Sequence, residues 1–362
     1  MTKTAFITDW LDKYGGAERV VTAINEIYEF DYYYAYVNKM SPQIQKKTFA
    51  GRDVNVISSN IMSVFKYKFR FTMPLFPFII NKFNKQTKNN KIGLVISSSW
   101  TMSKGYRIGT EKHICYLQAR NFKYVWDEAD LYFTGSLKVL SFIKGYLQKF
   151  DLESATIPDH LISNSIFVQD WVKEKYNRNS IVIYPPVEVD DFYISDETED
   201  YYITVGRLEP YKRFDVVVEA FRLNKKRLIV IGDGTQLTYL KSIAGDNIEF
   251  VGFLDKSEIR NYLSKAKAFV YAGIEDFGIS IVEAHASGIP VIVFNGGASK
   301  EIVTSENGLC YDHQNSKSLN LKLTIFENQE KIYNKKNIRE SSLKFSKKRF
   351  QDEFKTFIDS VR

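Results

Sequence analysis

Two carboxylates eight positions apart, Glu275 and Glu283, enclose the run Asp276-Phe277-Gly278-Ile279-Ser280-Ile281-Val282. Carboxylate oxygens accept hydrogen bonds from sugar hydroxyls. Gly278 lets backbone approach a ligand closely, and the N–H groups of a helix starting there point at whatever anion sits above them. A phosphate fits that place. With Glu275 in the loop and Glu283 two helical turns on, the pair could grip different hydroxyls of one extended ligand. The plain alternative is that both merely cap and solvate a helix.

A second group, Val205-Gly206-Arg207-Leu208-Glu209-Pro210-Tyr211-Lys212-Arg213, follows an apolar strand-like run at 202–205. Cations are disfavoured at a helix N-terminus, so Arg207 and Lys212 call for another reason to be there. Stabilising a leaving nucleotide diphosphate without a metal requires fixed cations of this kind. No metal site is expected. Asp190-Asp191 falls in a stretch read as linker, and Cys115 and Cys310 lie far apart with no cluster of histidines near them, which argues against both zinc and a disulfide framework. His113 and His285 read as buried structural residues.

The elements that must position these residues follow from patterning. Apolar β-rich runs alternate with helical patterns along all 362 residues, the mark of α/β units with parallel sheets. Strands are expected at 4–8, 32–37, 94–97, 113–116, 161–163 and 181–184. Pro185-Pro186 then stops regular structure, and the acidic stretch 188–200 reads as an interdomain linker. A second unit restarts with strands at 202–205, 227–231, 268–271 and 290–293, and helices at 213–221 and 279–287. The spacing of Phe350, Phe354 and Phe357-Ile358 predicts an amphipathic closing helix over 347–362. The domains are expected at 1–185 and 186–345, with 346–362 closing back on the first. An NAD-dependent oxidoreductase is disfavoured, because no Gly-x-Gly-x-x-Gly turn follows the first strand.

The formal net charge of +7 is unevenly placed. Between Asp53 and Glu111 there is no acidic residue, yet nine basic ones occur: Lys66, Lys68, Arg70, Lys82, Lys85, Lys88, Lys91, Lys104 and Arg107. Phe65, Tyr67, Phe69, Phe71, Phe76, Phe78 and Phe83 are interleaved with them. Such a mixture suits an anionic membrane surface. Nucleic acid is the competing ligand, and a core helix with a solvated basic edge is the plain alternative. With no apolar run approaching the roughly 20 residues of a spanning helix and no signal-peptide core, the expected location is cytoplasmic, peripheral on the inner face of the membrane.

Several motifs in order carry a family resemblance: 205–212, Gly232-Asp233-Gly234, Phe250-Val251-Gly252-Phe253-Leu254, the Glu275 to Glu283 block, Gly288-Ile289-Pro290-Val291, Gly296-Gly297 with Glu301, and Asn307-Gly308-Leu309. Together they resemble the C-terminal half of family 4 retaining glycosyltransferases. Gly15-Gly16-Ala17-Glu18-Arg19, Ile162-Ser163-Asn164-Ser165 and Tyr184-Pro185-Pro186-Val187 resemble markers of the first half. The resemblance implies a GT-B fold, two Rossmann-like domains facing each other across a cleft, the first binding acceptor and the second nucleotide sugar. It further implies that Arg207 and Lys212 hold the donor diphosphate, Glu283 the ribose, and Glu275 with the backbone of Phe277, Gly278 and Ile279 the sugar and its phosphate. Gly252, Phe253 and Leu254 would border the base, and Gly15 and Gly16 would close over the diphosphate. No protein base is expected, since in such enzymes the donor phosphate takes the acceptor proton.

One position departs from the pattern. Relatives among surface-polysaccharide mannosyltransferases carry a histidine where this chain has Gln118, which can hydrogen-bond a sugar but carries no proton charge. The expected function is metal- and cofactor-independent transfer of a hexose, with mannose the leading candidate, from a nucleotide-diphosphate sugar to a lipid-linked or glycan acceptor. Partners are then the donor, a glycan or polyprenyl-linked acceptor and an anionic membrane, with no nucleic acid. The rival expectations are a degenerate sugar-binding subunit of a transferase complex, or an epimerase or hydrolase on the same fold.

Overall fold

The computed structural model describes residues 3–59, 72, 74–88, 90–109, 111–123, 125–129, 143–329 and 332–361. Lys66, Lys68 and Arg70, with the rings of Phe65, Tyr67, Phe69 and Phe71, lie outside the described residues. The chain divides into two compact units, 1–186 with 350–362, and 187–349.

The first unit is built on a parallel sheet of β1 (Lys3–Leu11), β2 (Tyr32–Asn38), β3 (Val56–Ser58), β4 (Ile92–Ser99), β5 (Lys112–Leu117), β6 (His160–Ser163) and β7 (Ile181–Val182). Their order is β3-β2-β1-β4-β5-β6-β7, so the direction of winding reverses between β1 and β4. Strands buried on both faces read as unbroken apolar runs, as β2 does with Tyr33 to Val37. Successive side chains then serve opposite layers. Ala5, Ile7, Tyr34, Tyr36 and Val95 pack with Phe76, Ile79, Ile80 and Phe83 of the helix Phe76–Thr87. Phe6, Tyr33, Ala35 and Ile96 pack instead with Val20, Val21 and Ile24, and with Phe350, Phe354 and Ile358.

Those last three residues belong to the closing helix Lys347–Val361, whose apolar face is inserted into the first unit from Phe350 onward. Each is fully buried, which contributes about 1.5–3 kcal/mol per side chain.

The second unit repeats the plan with β8 (Tyr202–Val205), β9 (Leu228–Ile231), β10 (Ile248–Gly252), β11 (Ala268–Tyr271), β12 (Val291–Phe294) and β13 (Gly308–Tyr311). The parallel order is β10-β9-β8-β11-β12-β13, with the reversal between β8 and β11. The stretch 188–200, expected to be a linker, is instead integral to this unit. Val189 and Phe192 are buried. Several of its acidic residues pair with neighbouring cations: Glu188 with Lys256, Asp191 with Arg260 at 2.7 Å, Glu197 with Lys265 at 3.2 Å and Asp200 with Lys267 at 3.4 Å. An acidic run facing basic helix ends is a docked segment, and composition alone does not separate it from a solvated one.

Candidate functional site

In open α/β sheets, ligands bind beyond the carboxyl ends of the strands where the winding reverses. In the second unit that point lies between the turn after β8, which carries Arg207 and Lys212, and the loop after β11, which carries Glu275. The geometry there is explicit. Lys212 Nζ lies 2.6 Å from Glu275 Oε1 and 3.1 Å from the Tyr271 hydroxyl. Tyr271 in turn donates a short hydrogen bond to the same Glu275 oxygen. Arg207, exposed at the rim, donates from Nη2 to the Tyr211 hydroxyl at 3.0 Å. Burial, then the adjacent Glu275 carboxylate, push the Tyr271 phenol well above its ordinary value, and the Arg207 charge pulls the other way. Tyr271 is therefore a neutral donor that holds Glu275 in place.

Glu275 is fixed from its backbone as well. It forms a parallel bridge to Gly297, and its carbonyl accepts from Ala298 N at 3.0 Å. Gly297 has φ +66°, and a Cβ there would meet the Glu275 carbonyl oxygen at 2.3 Å, so only glycine permits this approach. Neighbouring loops are laced together in the same way. Gly232 N donates to Gly252 O at 2.7 Å, Leu208 N to Asp233 O at 2.9 Å and Gln236 N to Leu208 O at 2.9 Å. The motif Gly232-Asp233-Gly234 thus serves as the brace between the turns after β8 and β10.

Gly278 caps the helix Ile279–Ala286 with φ +106°, a conformation that disfavours any side chain. Because the helix begins only at Ile279, Glu283 sits little more than one turn in, not two turns beyond Glu275 as its separation suggested. Ile279, Ser280 and Glu283 are the half-exposed residues of this helix, while Ile281, Val282, Ala284, His285 and Ala286 are buried. Glu283 therefore shares one open stripe with the first-turn N–H groups. Phe277 turns inward, its ring edge-on to Phe345 at 5.3 Å, so only its backbone is available to a ligand. Phe253, by contrast, is 85% exposed at the end of β10, beside Gly252 and Leu254.

In the first unit, Gln118 directly follows β5 and is buried, its Nε2 donating to Ser98 Oγ at 2.8 Å and to Ala17 O at 3.4 Å. That brings it to the Gly15-Gly16 turn, where the helix Gly16–Ile27 begins. Glu18 closes a capping box there, accepting from Gly15 N at 2.9 Å, and burial pushes its carboxyl up to about 7. Gln118 and the Gly15-Gly16 turn are thus together in one unit, while Arg207, Lys212, Glu275, Gly278, Glu283 and Phe253 belong to the other. His113 bonds Ser97 Oγ at 2.8 Å and His285 meets Asn307 O at 3.1 Å, and burial pushes each imidazole down to about 3. Neither can carry charge near neutrality.

Three residues escaped the sequence reading. Tyr271 ends β11 as the last residue of a run that reads only as core, and nothing in its own position reveals the partner four residues on. Asp9, at the end of β1, accepts four backbone N–H bonds, from Trp100 and Thr101 at 2.6 Å, Met102 at 2.8 Å and Ser103 at 2.5 Å. Lys104, counted above among the membrane-facing cations, is fully buried and pairs with buried Asp151 at 2.6 Å. It also donates to Asn121 Oδ1 at 2.9 Å, and Asp151 accepts from Trp126 Nε1 and the Tyr176 hydroxyl at 2.8 Å each. A charge removed from water survives only with such partners, so Lys104 braces the turn after β4 and faces no membrane.

Comparison with known proteins agrees with this arrangement. Residues 188–343 match the family model described as glycosyl transferases group 1. The O-antigen chain mannosyltransferase RfbU of Salmonella typhimurium is 27% identical over 71% of this chain and 76% of its own length. The phosphatidyl-myo-inositol mannosyltransferase of Propionibacterium freudenreichii is 33% identical, over 28% of this chain and 27% of that protein. Among solved structures, Anabaena HepE in complex with UDP and glucose superposes with a TM-score of 0.74 at 16% identity, covering 99% of this chain and 100% of HepE. With the ordered motifs, the two doubly wound sheets and these relatives in agreement, the chain has the GT-B fold and is similar to glycosyltransferases of the family 4 type.

Proposed function

We propose that the protein transfers a hexose, mannose in the first instance, from a nucleotide-diphosphate sugar to a glycan or lipid-linked acceptor, with retention at the anomeric carbon and without a metal ion. The observation that carries this reading is the Lys212–Glu275–Tyr271 cluster at the reversal of the second sheet, next to the N-terminus of the 279–286 helix. Lys212, Arg207 and the first-turn amides would hold the diphosphate as charge develops on it, which is the work a metal would otherwise do. Glu275, pinned by Tyr271, would accept from a sugar hydroxyl, Glu283 from the ribose, and the exposed Phe253 ring would stack on the base.

The step balances without a protein base. The acceptor oxygen bonds to the anomeric carbon on the face from which the diphosphate departs, the carbon–phosphate-oxygen bond breaks, and the acceptor proton passes to the departing phosphate oxygen. The products are the glycoside, with its configuration kept, and a nucleoside diphosphate. The two mannosyltransferase matches favour mannose.

The proposed setting is the inner face of the cell membrane, where the acceptor is anchored. Leu75 and Phe78 project from the start of the 76–87 helix, Phe78 with 61% of its surface exposed, and Lys82, Lys85 and Lys88 are exposed along the same element. Rings or aliphatic groups beside several lysines suit an anionic bilayer surface. No helix among the described residues is long and apolar enough to cross a membrane.

A panel of nucleotide sugars, assayed for nucleoside diphosphate release with and without EDTA, tests the reading. Release from at least one donor, unchanged by the chelator, is expected. If no donor is bound or consumed the function is refuted, and loss in EDTA restored by manganese would refute metal independence alone.

A further inference from the structure

The reversal of the first sheet, between β1 and β4, carries a feature that donor chemistry does not use. Trp10, one residue from the end of β1, and Trp100, the residue after β4, stack with ring centroids 5.9 Å apart and planes 6° from parallel. Both indoles are partly exposed. Sheet reversals are where small ligands bind, and aromatic rings supply broad contact there at little entropic cost.

We propose that this pair is a carbohydrate platform: the C–H face of a pyranose in the acceptor lies against the stacked indoles. Three observations carry the assignment. The platform is rigid before any ligand arrives, because the Asp9 carboxylate takes the N–H groups of residues 100–103 and the Phe122 N–H bonds Trp100 O at 2.8 Å. The end of β4 that leads into Trp100 is fixed by buried hydrogen bonds as well: Ser98 bonds Gln118, and Ser99 Oγ accepts from Asn121 Nδ2 at 3.0 Å. Finally, the Gly15-Gly16 turn continues the same strand that carries Trp10. A rigid, partly exposed aromatic face at a sheet reversal matches the apolar C–H face of a sugar ring.

The inference rests on the transferase reading, since it presumes a sugar-containing acceptor. The two can be tested apart. The chain has four tryptophans, and Trp126 and Trp171 have their N–H groups committed to Asp151 and Asp127. A change in emission is assigned to Trp10 and Trp100 by its loss in their alanine variants. The full-length protein is titrated with α-mannotriose and, separately, maltotriose, because stacking on a pyranose face tolerates changes of hydroxyl configuration. A saturable change in emission with either sugar is expected. Its dissociation constant should rise at least fivefold in Trp100→Ala and Trp10→Ala but less than threefold in Trp100→Phe, which keeps a ring and guards against misfolding. GDP and UDP binding, measured by calorimetry on the same samples, should be unchanged in all three variants. If a nucleoside diphosphate binds while neither trisaccharide alters emission, or if the alanine variants bind sugar as the parent does, the platform is refuted and the transferase reading stands. If neither diphosphate binds the parent protein, both fall.

Discussion

Replacing Glu275 by glutamine should separate nucleotide binding from sugar transfer. In the structure the Glu275 carboxylate and the Lys212 ammonium are 2.6 Å apart, with their side chains 22% and 15% exposed. A diphosphate bound to Lys212 therefore sits against a carboxylate of like charge. Taking a separation of about 6 Å across the shared ammonium and an effective dielectric of about 20, the repulsion is roughly 3 kcal/mol per unit charge, and partial exposure reduces it to about 1–2 kcal/mol. Glu275→Gln should thus tighten GDP or UDP binding by roughly 5- to 30-fold, read by calorimetry. Turnover of the nucleotide sugar should fall by about two to three orders of magnitude, because the sugar loses a charged acceptor oriented by Tyr271. Lys212→Met should have the opposite signature, weakening the diphosphate by about 1.5–3 kcal/mol. Weaker diphosphate binding in Glu275→Gln, or turnover within threefold of the parent, would refute the roles assigned to the pair.

Three further outcomes are expected. Phe253→Ala should weaken nucleoside diphosphate binding by about 1–3 kcal/mol in calorimetry, the worth of a base stacked on a ring, and unchanged affinity would remove Phe253 from the base site. Replacing Lys82, Lys85 and Lys88 together by Gln should lower binding to phosphatidylglycerol-containing vesicles by about 3 kcal/mol in co-sedimentation, at roughly 1 kcal/mol per cation, and indifference to lipid charge would contradict the membrane assignment. Glu18 has its carboxyl raised from 4.5 to about 7 by burial, so the folded form holds the proton more tightly than the unfolded one. Its stabilising contribution is therefore complete below pH 4.5 and is lost as pH rises to about 7, on the order of 3 kcal/mol in all. Glu18→Gln keeps an acceptor for Gly15 N and should flatten that dependence, as monitored by tryptophan fluorescence, which reports the first unit alone because all four tryptophans precede Pro186; parallel pH curves for parent and variant would contradict it.

What could be read from the chain itself tracks how local each signal was. Strands at 202–205 and 268–271 were legible because a strand buried on both faces is a short apolar run bounded by polar turns, and the observed β8 and β11 have those same limits. The helix over 279–286 was legible from Gly278 and the apolar run after it. Long-range pairing was not legible. Lys104 carries the same formal charge as Lys82, and only the fold brings Asp151 to it from 47 positions away. The acidic stretch 188–200 looked solvated because its partners, Lys256 to Lys267, lie in a helix and strand edge reached only through the tertiary structure. A short edge element such as β3, with three residues, has too few side chains to show a period. Tyr271 illustrates the reverse difficulty: its ring satisfies the core pattern completely, and the function of its hydroxyl appears only once the loop after β11 folds Glu275 back over the strand end.

The position of the diphosphate in a crystal of the protein with GDP or UDP bears most directly on the whole account. Its oxygens are expected within hydrogen-bonding distance, about 3 Å, of Lys212 Nζ and of the amides of Ile279 and Ser280, with Glu275 still held by Tyr271. A diphosphate seated elsewhere, with Lys212 remaining on Glu275 alone, would contradict it.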